Sequence, residues 1–76
     1  MTVPGFPRIS FDPAILNGQP CVAGTRLSVR RVLDILATYP DRNELFANFP
    51  GLTEEDIGEV LRFAAANVAD ELFVEA

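Results

Sequence analysis

Apolar positions follow two periods along this chain. From Ile9 to Phe11 they flank a single polar residue, the two-residue period of a half-buried strand. From Val29 onward they recur at three and four residues. Val29, Val32, Leu33 and Leu36 share one face and predict a helix from Ser28 to about Thr38. Pro40 cannot continue that helix and disfavours helical geometry at Tyr39. Asp41, with Glu44 three residues on, has capping-box spacing and opens a short second helix to about Asn48, with Leu45, Phe46 and Phe49 on its apolar side. After the tight Phe49-Pro50-Gly51-Leu52 connection, Thr53 is the N-cap of a third helix. Asp56 takes its N3 position, and Leu52 and Ile57 are spaced as a hydrophobic staple. Glu54, Glu55 and Asp56 suit the positive end of the helix dipole. Ile57, Val60, Leu61, Ala64, Ala65 and Val68 then keep helical spacing, which predicts a helix reaching Glu71 or beyond.

The front of the chain is β-like but thin. Met1 to Pro7 holds two prolines and a glycine and predicts a flexible arm, leaving residues 8–76 as a single domain. Asp12-Pro13 ends the first strand. Ala14-Ile15-Leu16 and Gln19 to Ala23 are expected to pair across an Asn17-Gly18 hairpin turn, with Pro20 on the open side. Gly24 marks the corner into the first helix, Ser28 caps it, and Leu27 is placed to pack on Val32. Strands this short need helices or another chain to lie on. A short helix, a tight turn and a longer helix match the helix-turn-helix outline. The expected fold is therefore mainly α: a three-helix, helix-turn-helix-like (homeodomain-like) bundle with a short N-terminal β arm or hairpin.

Composition adds partners to this picture. Seventy-six residues make one small domain, which buries only about 60% of its unfolded surface. Apolar residues make up 49% of it, more than so small a core absorbs, so a homodimer is expected. The net charge of −5 is unevenly spread: residues 1–31 carry four arginines against one aspartate, and residues 32–76 carry two arginines against ten acids. Any nucleic-acid contact then belongs near the first helix. A single cysteine makes no internal disulfide, and Cys21 is either a small buried side chain or a reactive thiol. No apolar run approaches the ~20 residues of a membrane span, and no leader pattern is present, so a cytoplasmic protein with no membrane partner is expected.

Three clusters carry candidate chemistry. Arg26, Arg30 and Arg31 hold half of the chain's six cations within six positions. They are either a solvated helix start or an anion site aided by helix N–H groups. Glu55, Asp56 and Glu59 are either surface carboxylates favoured by the dipole or ligands for a hard cation. Leu72, Phe73 and Val74, set between Asp70, Glu71 and Glu75, either fold back on the domain or its twin, or anchor a partner protein. With no histidine and no nucleophile beside an evident base, no catalytic residue, metal or cofactor is expected. DNA binding meets one objection: the end of a recognition helix that should face DNA here carries Glu54, Glu55, Asp56 and Glu59, which repel phosphates. Either the arginines touch DNA, or the fold is an interaction module for a basic protein.

Two blocks, Asn17 to Arg30 (NGQPCVAGTRLSVR) and Phe49 to Ile57 (FPGLTEEDI), resemble the small bacterial family known as domain of unknown function 433, over about residues 8–66. The resemblance implies a helix-turn-helix-like fold with a β arm, and an antitoxin role beside a PIN-like nuclease toxin. Tyr39-Pro40-Asp41-Arg42 departs from the glycine-containing turn usual after the family's first helix. The expected function is thus the antitoxin of a type II toxin–antitoxin pair, neutralising a PIN-like nuclease and binding operator DNA. The alternatives are a stand-alone helix-turn-helix regulator and an interaction module that binds no DNA.

Overall fold

The computed structural model describes residues 1–68. Three strands come first, β1 (Thr2–Val3), β2 (Phe6–Ser10) and β3 (Cys21–Val22), then three helices, α1 (Val29–Thr38), α2 (Arg42–Asn48) and α3 (Glu54–Asn67). The strands form one antiparallel sheet in the order β1-β2-β3, and α3 packs on both β2 and α1. This corrects the mainly α, homodomain-like expectation. The sheet is one wall of the domain, not an appendage to a helical bundle.

The prolines misled because Pro4 marks a turn and Pro7 lies inside a strand. Pro4-Gly5 is the two-residue turn of the β1–β2 hairpin, joining the paired Val3 and Phe6, and Gly5 takes the positive φ of 84° that this turn needs. Residues 1–7, expected as a flexible arm, therefore supply β1 and the start of β2. Pro7 has no partner in β1, because the register shifts between Thr2 and Val3, so its missing N–H costs no ladder bond. Ile9 and Ser10 pair instead with Val22 and Cys21 of β3.

The Asn17-Gly18 hairpin does not form between the segments expected to flank it. The Asp12 carboxylate accepts the Ala14 N–H and turns the chain out of β2. Leu16, Asn17 and Gly18 then all adopt positive φ in a short 3-10 turn within the β2–β3 loop. The left-handed propensity of Asn-Gly was real, but it bends a loop here.

The helices begin where the capping chemistry puts them. Ser28 accepts the Arg31 N–H, Asp41 the Asn43 and Glu44 N–H groups, and Thr53 with Asp56 forms the full reciprocal box. Ile9, Val22, Val29, Val32, Ile35, Leu45, Leu52, Ile57 and Val60 are the buried core. Edge-to-face pairs fasten its rim, Phe6 with Phe63 and Tyr39 with Phe49. Two expectations for α3 change. It ends at Asn67, with Val68 as its C-cap. It is also turned about its axis: Leu61 and Val68 are exposed, while Asp56 and Glu59 face inward. Among the described residues, no helix is long and apolar enough to cross a membrane.

Candidate functional site

The start of α1 is locked to the sheet by the loop before it. Gly24 has φ +81°, and the Thr25 N–H and Oγ1 both donate to the Val22 carbonyl, at 3.0 and 2.8 Å. Thr25 Oγ1 in turn accepts the Leu27 N–H at 3.0 Å, and the Val29 N–H donates to the Pro20 carbonyl. Gly-Thr is thus a structural device, in which a positive φ makes the corner and a hydroxyl closes it. It leaves Arg26 exposed in the loop, and Arg30 and Arg31 exposed in the first turn of α1.

The helix end itself offers little to an anion. Val29 and Arg31 spend their N–H groups on Pro20 and Ser28, so an anion here must be held by guanidinium groups. Two cations in a first turn with no acid oppose the helix dipole. Among the described residues, the arginines with carboxylate partners are Arg8, Arg42 and Arg62, and those without are Arg26, Arg30 and Arg31. The three sequence-selected arginines are therefore the uncommitted ones among the described residues.

Two of the acids at the start of α3, Asp56 and Glu59, are committed inward. Asp56, 7% exposed, accepts Arg8 Nη1 at 3.1 Å on one oxygen and the Thr53 N–H at 3.1 Å on the other. Glu59 accepts the backbone N–H of Arg8 and lies 3.4 Å from Arg62 Nη2. Glu54 pairs with Arg42 at 3.2 Å. Asp56 and Glu59 are neither surface carboxylates nor open to a cation, because arginine and backbone donors hold their oxygens. Of the four acids weighed against DNA binding, only Glu55 has no partner among the described residues. Arg8 was missed in the sequence. Its signal was two acids at i and i+3 bracketing the core residue Ile57, a spacing that turns both toward whatever that helix covers.

Cys21 is buried, with Sγ donating to the Gln19 carbonyl at 3.3 Å. Burial pushes its thiol pKa above the ordinary value, which disfavours the nucleophilic thiolate. Leu72, Phe73 and Val74 lie outside the described residues.

The fold and this surface define a small mixed α and β domain with a partly neutralised acidic helix start and an exposed arginine turn. The family model described as "Protein of unknown function (DUF433)" matches residues 9–64, and the chain belongs to that family. The crystal structure of a DUF433 member protein from Anabaena variabilis ATCC 29413 is similar, with a TM-score of 0.69 and 30% sequence identity over 79% of this chain. The match spans 59% of that chain. No curated protein matches.

Proposed function

We propose that the protein is the antitoxin of a type II toxin–antitoxin pair, a small module that neutralises a PIN-like nuclease and touches operator DNA through Arg26, Arg30 and Arg31. The observation that carries the DNA part is the division of charge. Of the acids that would repel phosphates, Asp56 and Glu59 are held against β2 and Glu54 is paired with Arg42, while three exposed arginines around the start of α1 have no carboxylate partner among the described residues. Exposed guanidinium groups held on a capped helix and a hydrogen-bonded loop suit phosphate contact. The toxin part rests on the family resemblance and on the acid-flanked Leu72-Phe73-Val74 segment. There, apolar side chains would anchor a partner and the acids would steer it toward a cationic, RNA-holding surface.

Co-expression with the nuclease encoded by the adjacent gene tests this role. Growth arrest caused by the nuclease should be relieved by the protein. Relief should be lost when Leu72, Phe73 and Val74 are all replaced by Asp. An adjacent gene that encodes no such nuclease, or full relief by the triple variant, would overturn the proposal.

A further inference from the structure

An open groove of about 330 Å³ lies between the first turn of α1, the Gln19–Pro20 bend and the end of α3. Pro20, Val29, Leu33, Phe63, Ala64 and Val68 line it, and its surface is almost wholly apolar. Arg30, exposed, also lines it. Its size is at the lower end of the range of ligand pockets, about 300–1,000 Å³. The core does not need this space: Val29 is already buried by its own neighbours, and Phe63 is braced edge-to-face by Phe6.

We propose that this groove is the docking site of the protein's own C-terminal segment, residues 69–76, with Leu72, Phe73 and Val74 seated on its apolar lining. The first reason is where the chain leaves α3. Val68 is the helix C-cap, with extended φ and ψ of −81° and 129°, and it is itself part of the groove lining. Leu72 is four residues further on, a span of at most about 14 Å, so the apolar trio stays within reach.

The second reason is complementary chemistry. Leu72, Phe73 and Val74 are three adjacent apolar side chains with Asp70, Glu71 and Glu75 around them. The groove is apolar, and at its side stands a guanidinium without a carboxylate partner among the described residues. Apolar burial would hold the segment, and Arg30 facing the acids would orient it.

The third reason is connectivity. A tether this short gives the attached segment an effective concentration of order mM, so the chain's own tail outcompetes that of a second copy in dilute solution. The inference concerns the protein alone and does not depend on the antitoxin proposal. A partner that takes the same three side chains would first draw them out of the groove, at a cost in apparent affinity.

Nuclear Overhauser contacts in the isotope-labelled full-length chain test it. The Phe73 ring and the Leu72 and Val74 methyls should contact the Leu33 and Val29 methyls, unchanged across a dilution series. Arg30 is exposed, so its substitution should leave the fold intact. Arg30→Glu should weaken these contacts, and Arg30→Lys should keep them. Absence of the contacts in the wild-type chain overturns the proposal. So do contacts that vanish on dilution, which would mean a second copy's tail, and contacts undiminished in Arg30→Glu.

Discussion

Replacing Ile9 by Ala should destabilise the protein by about 3–4 kcal/mol, within the usual range for emptying a buried aliphatic site. Ile9 is fully buried in β2, paired with Val22 of β3 and part of the core that α1 and α3 close. Total stability for a domain of this size is about 5–10 kcal/mol, so the loss is a large share. The melting temperature should fall by more than about 12 °C, at roughly 4 °C or more per kcal/mol. Leu61→Ala is the matched control. Leu61 is 45% exposed, although its spacing would place it in the apolar stripe of α3. Its replacement should change stability by no more than about 0.5 kcal/mol. Thermal melts of both variants decide the point. Equal losses would mean that the helix faces the core as its periodicity alone suggests.

Asp56→Ala should cost about 2–3 kcal/mol, although carboxylates at the start of a helix are normally worth a few tenths. One buried side chain closes the capping box of α3 through the Thr53 N–H and joins the helix to β2 through Arg8. Its removal opens the capping box and leaves the Thr53 N–H without its acceptor, while Thr53 Oγ1 still caps the residue-56 N–H. Arg8 is half exposed, so the ion pair itself adds only a modest part. Asp56→Asn, which keeps an acceptor for the cap, should cost less. Glu55→Ala, at an exposed neighbour, should be nearly silent. Denaturant titrations of these variants, with a double-mutant cycle to Arg8→Ala, separate cap from ion pair. A silent Asp56→Ala would contradict the inward-facing acid.

The helices were legible because their signals are local. Ser28, Asp41 and Thr53 each cap within three residues of themselves, and Pro40 stops α1 at once. The sheet was legible only in part: strands were read near Ile9 and over Gln19 to Ala23, but β1 and β3 are two residues each and carry no period. Pairing Ile9 with Val22 is a long-range choice that alternation cannot announce. The rotation of α3 was hidden for the same reason: Asp56 and Glu59 are inside because Arg8 meets them from some fifty positions earlier in the chain. Without that partner, a carboxylate in a first turn belongs on the surface. The arginine turn was legible as a cluster of charge, but only the structure separates Arg26, Arg30 and Arg31 from the arginines already engaged.

The salt dependence of DNA binding tests this division of charge most directly. Binding of the purified protein to a generic duplex should weaken with rising salt. Replacing Arg30 and Arg31 together by Ala should lower the slope of log K against log salt by about 2, near one unit per lost phosphate contact. Glu54→Gln with Glu55→Gln should leave the slope unchanged. An unaltered slope in the arginine variant, or no salt-dependent binding by the wild-type protein, would contradict the account.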